Sequence, residues 1–252
     1  MNKSYLNNII SLLEKMGNTQ ETVIDQVADV CADCIENGGL LYFFGTGHSH
    51  MICEEPFYRA GGLACVYPIL ETDLMLHEGA SKSSGYERLE GLGNLVVSNT
   101  SLGKGDVLFI ASNSGRNCAV IDAAMEAKKR GVKIIAVSSA AWQEEMPADH
   151  FIRHPNKTNL FDYADVCIDD YNIVGDAVIE VEGFDTPIAP VSNIVDFYIA
   201  HLLEIETVKQ CIRNKKIDGK FLEMLLTRIN FYQHERLIHL IVTMTFAIMT
   251  VI

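Results

Sequence analysis

"GKGDVLFIASNSGRNCAVIDAAMEAKKRGVKIIAVSS", residues 103–139, decides the fold. Residues 106–112, "DVLFIAS", are an apolar run of strand length, as expected of a strand buried on both faces. Residues 117–131, "NCAVIDAAMEAKKRG", follow with an amphipathic helical pattern closed by Gly131. Residues 132–139, "VKIIAVSS", return to a strand. A strand, a helix and a second strand in that order predict two parallel strands joined by a crossover helix.

The same alternation extends outward. The first 37 residues are helix-like: Tyr5, Ile9, Leu12, Leu13 and Met16 fall at helical spacing, as do Val23, Val27, Val30 and Cys34. After Gly38 and Gly39, residues 40–44, "LLYFF", predict another buried strand. A helix over 49–60 and a strand over 63–70 follow. Residues 71–100 are polar and glycine-containing, and predict a long loop with short helical pieces. Residues 165–170, "DVCIDD", give a further strand, and residues 192–212 a long helix. The expected fold is a three-layer α/β/α sandwich around a parallel sheet. Residues 1–37 would be a helical segment packed on a domain of residues 38–213. Residues 214–252 would be an atypical apolar helical tail. Its last 16 residues, 237–252, are too short to span a bilayer, which takes about 20, and include His239.

The 252 residues carry a net charge of −13. That balance argues against a nucleic-acid surface, which needs clustered Lys and Arg. It leaves room for a small phosphorylated ligand held by backbone amides. Seven scattered cysteines suit free buried thiols in a reducing cytoplasm. Cys31 and Cys34 form a C-x-x-C pair, but inside a helical pattern and with no second pair to complete a zinc site. The N-terminus has no apolar stretch long enough for a signal peptide, so the expected location is cytoplasmic, with no membrane partner.

In a parallel α/β sheet, ligands collect at the carboxyl ends of the strands. Two such turns share a chemistry here. "GTGHS" brings Gly45, Thr46, Gly47, His48 and Ser49, and "SNSGRN" brings Ser112, Asn113, Ser114, Gly115, Arg116 and Asn117. Glycines permit close backbone approach, and hydroxyls with first-turn amides surround an anion. Serine and asparagine are also ordinary helix N-caps, so either turn alone is ambiguous. Two on consecutive units favour a phosphate site. The nucleotide P-loop is excluded because no Gly-Lys-Ser/Thr follows, and the dinucleotide fingerprint lacks its third glycine.

The stretch 103–139 resembles the core of the SIS, or sugar isomerase, domain: a Gly-Asp-Val opening, an S-x-S-G-x-T/S phosphate loop and a helix ending in Arg-Gly-Val. "FFGTGHS" stands where that family has an earlier G-x-G-x-S turn, and the resemblance runs over residues 40–211. It implies a mainly five-stranded parallel sheet, a phosphosugar ligand and association as a homodimer or homotetramer. Ser112, Ser114 and Asn117 would hold the phosphate and Ser49 would contact the sugar or phosphate. Asn117 replaces the usual Thr or Ser, and its amide can still donate a hydrogen bond.

Aldose–ketose isomerisation through an enediol needs a base beside a carbonyl and an acid to shuttle protons between oxygens. The pattern is similar to the phosphoheptose isomerase branch, which has a glutamate ten residues past the first-turn serine. It also has a last-helix histidine preceded by a glutamine eight residues earlier. Here the ten-residue position is Arg59, while Glu55 lies one helical turn before it. Asn193 and His201 reproduce the eight-residue spacing. Loop acids add Glu78, beside His77, as a second candidate carboxylate, with Glu87 and Glu90 further on. Some phosphoheptose isomerases carry zinc between the glutamate-bearing helix and the last-helix histidine, which would involve Glu55 and His201. His48, His50, Glu54 and Glu55 also lie close in sequence. No third ligand is evident in either set, so neither metal nor cofactor is assigned. The leading expectation is a sugar-phosphate isomerase using His201 with Glu55 or Glu78. A non-catalytic sugar-phosphate sensor and a lyase acting on a phosphorylated amino-sugar ether remain alternatives.

Overall fold

The structure, a computed structural model, describes residues 3–147 and 149–214. The apolar tail expected over 214–252 lies outside the described residues beyond Asn214. The chain opens with two helices, α1 (Lys3–Thr19) and α2 (Glu21–Glu36). Next come β1 (Leu41–Gly45), a 3-10 turn (Gly47–His50), the short α3 (Met51–Glu54) and β2 (Val66–Pro68). The long loop carries a 3-10 turn (Thr72–Leu74), α4 (Ala80–Tyr86) and α5 (Leu92–Ser98). Then follow β3 (Val107–Ala111), α6 (Cys118–Lys129), β4 (Lys133–Ser138), α7 (Ala140–Glu145) and β5 (Val166–Asp169). A hairpin of β6 (Ala177–Val181) and β7 (Phe184–Pro190) precedes the long α8 (Ser192–Asn214).

The five strands β1–β5 form one parallel sheet, as expected, and their order is β2-β1-β3-β4-β5. Alternation explains why β1 and β3 are apolar at every position. Leu41 and Phe43 enter one core with Val107, Phe109 and Ala111, beneath α2 and α8. Tyr42 and Phe44 enter the opposite core with Leu108 and Ile110, beneath α5 and α6. Phe43 stacks on Phe109 across adjacent strands, with ring centroids 4.4 Å apart. Cys31 and Cys34 are buried within α2, where burial raises both thiol pKa values, Cys34 up to about 12.

Two expectations need correction. The helix expected over 49–60 ends at Glu54, because Pro56 has no N–H to give the Ile52 carbonyl. The β6–β7 hairpin is not foreseen by the periodicity. Most of its residues are exposed, so no buried face imposes a clear alternation. No helix among the described residues is long and apolar enough to cross a membrane.

Asp170 after β5 and Asp196 on α8 are 1% and 3% exposed. Burial pushes the Asp170 carboxyl up to about 7 despite hydrogen bonding from Asn172, with the nearby acids Asp169 and Asp176 adding to the rise. Burial and Asp170 together raise Asp196. The native chain therefore keeps the Asp170 proton to about pH 7, whereas the unfolded chain releases it near pH 4. The native state binds more protons between those limits, so this group's contribution to stability falls as pH rises through that window. Calorimetric melting should show Asp170→Asn raising the Tm at pH 8 and leaving it nearly unchanged at pH 4.5. An equal shift at both pH values would contradict the assignment.

Candidate functional site

Strand order reverses between β1 and β3, so the crossover connections leave in opposite directions and open a crevice at the carboxyl ends of these two strands. The turns 45–49 and 112–117 follow β1 and β3 and sit side by side. Gly45 is required there: a Cβ at this position would lie 2.5 Å from the Ser49 carbonyl oxygen. Gly115 adopts φ +60°, and a Cβ would meet Ser138 Oγ at 2.9 Å.

Asn117 joins the two turns. Its Oδ1 accepts from Val120 N–H at 2.9 Å and caps α6. Its Nδ2 donates to Thr46 Oγ1 at 3.0 Å and to Glu87 Oε2 at 3.2 Å. Thr46 donates to the same carboxylate oxygen at 3.2 Å. Asn117 and Thr46 are thus committed to the fold and to each other. Glu87, at the end of α4, is the loop carboxylate that reaches the turns, and burial raises its pKa. Glu78 does not join it. Half-exposed, it pairs with Lys82, which also bonds Asp73.

The second turn directs its carbonyls into the protein. Those of Asn113, Gly115 and Arg116 accept from Ser139, Leu160 and His154. Ser112 Oγ accepts from Gly115 N–H at 3.1 Å, and Ser138 Oγ donates to the Ser112 carbonyl at 2.6 Å. Arg116 is 0% exposed, and its Nε donates to the Ser114 carbonyl at 2.8 Å. Both terminal guanidinium nitrogens are buried without a hydrogen-bond partner among the described residues. Burial, with help from Arg153, lowers its pKa to about 10. Sequence reading had no way to see this buried cation behind the turn.

A cleft of about 670 Å³ lies beside the turns. Ser49, Asn113 and Asn193 line it, together with His48, Asp176 and the inner edge of β7 at Pro187–Pro190. Asn193 Nδ2 donates to the His48 carbonyl at 3.4 Å, tying α8 to the first turn. Asp176 accepts from the amides of Val191 and Ser192 and from the Ser192 hydroxyl, capping the start of α8. The hairpin is therefore a wall of the cleft.

Glu55 and His201 do meet. His201 Nε2 lies 2.9 Å from Glu55 Oε1, and Nδ1 lies 2.9 Å from Glu204 Oε2. Burial disfavours charge on the imidazole, but hydrogen bonds and charge from Glu204 and Glu55 outweigh it and raise the His201 pKa. His201 borders a separate hollow of about 520 Å³ with Gly61, Leu63 and Glu204. Neither Glu55 nor His201 lines the 670 Å³ cleft. Asn193 and His201 are separated by about 12 Å of helix at 1.5 Å per residue. The zinc position implied by the phosphoheptose isomerase resemblance does not fit these residues. Arg59 Nη1 sits 2.9 Å from Glu55 Oε1, placing a fixed positive charge there, and both His201 nitrogens are engaged by carboxylates.

A family model for the SIS domain matches residues 4–139. A UPF0309 protein of Caldanaerobacter subterraneus is 40% identical over 86% of this chain and 88% of its own length. Another, from Halalkalibacterium halodurans, is 37% identical over 84% of this chain and 83% of its own. Among solved structures, phosphoheptose isomerases share the fold. The Francisella tularensis protein has TM-score 0.54 and 17% identity over 81% of this chain and 95% of that one. The Neisseria gonorrhoeae protein has TM-score 0.55 and 14% identity over 82% and 95%. The NanR protein of Vibrio vulnificus, solved with ManNAc-6P, has TM-score 0.50 and 15% identity over 84% and 64%. With its reversed strand order, its paired turns and these relatives, the chain belongs to the SIS domain family.

Proposed function

We propose that the chain binds a sugar phosphate in the switch-point cleft. The phosphate rests on the turn of Ser112, Asn113, Ser114, Gly115 and Asn117, and the sugar extends past Ser49 toward Asn193. Gly45, Thr46 and Gly47 shape the facing turn. The observation that carries this reading is the buried Arg116 guanidinium. It stands directly behind a turn whose carbonyls point away, with two nitrogens lacking partners among the described residues. A buried unpaired cation is costly, and an anion at the turn offsets that cost. The ManNAc-6P complex of NanR shows that a protein of this fold can hold such a ligand.

The finer proposal is aldose–ketose isomerisation through an enediol, without a cofactor. Glu55 orients His201, which moves protons between the substrate oxygens, and a carboxylate takes the proton from carbon. Glu78 serves as that carboxylate only after leaving Lys82. The separation of His201 from the cleft favours a second reading, a non-catalytic sensor that binds the same ligand. The lyase reading needs both Glu55 and Glu78 at the ligand, and neither lines the cleft. Assembly as a homodimer or homotetramer in the cytoplasm belongs to the same proposal, and native mass measurement tests its size.

Two experiments separate these readings. Sugar phosphates incubated with the protein in deuterated water should exchange the hydrogen beside the carbonyl, and His201→Ala should abolish exchange while binding persists. Binding by the unaltered protein with no exchange for any sugar phosphate would establish the sensor instead. Ser114→Ala should weaken binding about tenfold, the loss of roughly 1.4 kcal/mol expected for one hydrogen bond to a charged group. Second, Glu55→Gln removes a charge that holds the His201 pKa up. NMR titration of the ring protons should show that pKa falling, and an unchanged value would mean that Glu55 does not control the imidazole.

A further inference from the structure

His50 immediately follows the cleft residue Ser49, yet it turns away from the sugar-phosphate site and is 4% exposed. Its Nδ1 is hydrogen-bonded to the Gly47 carbonyl. A carbonyl only accepts, so Nδ1 carries the proton and Nε2 presents a lone pair. That Nε2 is buried and has no hydrogen-bond partner among the described residues. Its polar neighbour is Glu54 Oε1 at 3.8 Å, one helical turn on and beyond hydrogen-bond distance. The exposed His77 approaches from the loop after the Thr72–Leu74 turn. Its ring centroid is 5.5 Å from that of His50, edge to face at 74°. One nitrogen of each histidine and one Glu54 oxygen all lie within 4.8 Å of one another.

We propose that His50 Nε2, Glu54 and His77 form a binding site for a first-row divalent cation, with Zn²⁺ the natural occupant. Two neutral imidazoles and one carboxylate are a borderline-soft donor set that suits zinc and leaves a fourth position for water. Bonds of about 2.0–2.2 Å in a tetrahedron bring ligand atoms to roughly 3.4 Å apart. Rotation of Glu54 and His77, both at the surface, supplies that contraction. His50 needs no adjustment, because its bond to the Gly47 carbonyl already fixes tautomer and ring direction, as an outer partner does for a ligating histidine. An ordinary Glu–His surface ion pair accounts less well for the geometry. It would require a proton on Nε2, and it leaves unexplained why a second imidazole converges on the same point. None of the three residues belongs to the Glu55–His201 pair, and none lines the 670 Å³ cleft. The bound ion would fasten the loop at His77 to the turn that carries Ser49. It would therefore stiffen one wall of the cleft without touching its contents. The inference stands whether or not a sugar phosphate binds.

The test uses the full chain stripped with a chelator and titrated with Zn²⁺ against a chromophoric competitor. One equivalent should bind, and His77→Ala and Glu54→Gln should each weaken binding at least tenfold. Both altered side chains are exposed, so circular dichroism should show the variants folded. His201→Ala should bind as the unaltered chain does, and Co²⁺ in place of zinc should give a spectrum without thiolate charge-transfer absorption. The proposal is overturned if no ion binds, or if both His77→Ala and Glu54→Gln bind undiminished. Loss of binding in His201→Ala, or thiolate absorption with Co²⁺, would overturn it as well.

Discussion

The hydrogen bonds of Asn117 hold the site in one arrangement. A single side chain caps α6 through its oxygen and clamps Thr46 and Glu87 through its nitrogen. The first contact fixes the end of β3 to the helix that follows. The others fix that assembly to the turn after β1 and to the end of α4. A side-chain amide can do this because it offers an acceptor and two donors in one plane, and here both ends are used. The Thr or Ser expected at this position in a phosphate loop could cap the helix but could not span the same distance with two directed N–H groups. The departure from the family pattern at residue 117 thus supplies a structural joint between the two turns.

The layers were legible because β1 and β3 are buried on both faces, and a strand with two buried faces leaves a continuous apolar run. The paired strand-to-helix turns were legible because glycine and serine at strand ends meet backbone demands that few residues satisfy. What escaped the sequence has equally definite causes. The hairpin lacks a buried face, so its alternation carries no hydrophobic signal. Helix α3 stops where Pro56 withholds an N–H, and the apolar spacing beyond that point is not helical. Sequence offers several carboxylates in residues 71–100, but only the path of α4 decides that Glu87, not Glu78, returns to the turns. His50 and Glu54 are visible as an i,i+4 pair, whereas His77 becomes their neighbour only through the loop's fold.

The two halves of the chemistry foreseen from sequence occupy different places in one chain. Ser49, Asn113 and Asn193 share the cleft, while His201, paired with Glu55, faces a hollow further along α8. Pro56 bears on this separation. By ending α3, it leaves Glu55 at the helix terminus, where its carboxylate meets both Arg59 and His201. Glu204 meets the other imidazole nitrogen, so His201 is held with a raised pKa by two carboxylates. The paired turns and the His201 cluster consequently occupy separate places in this fold.

A crystal structure of the chain with a bound sugar phosphate tests the central claim most directly. The phosphate should lie on the turn of residues 112–117, within hydrogen-bond distance of the Ser114 hydroxyl and backbone amides, with the sugar reaching Ser49. A phosphate seated in the hollow beside His201, with the 112–117 turn left empty, would contradict it.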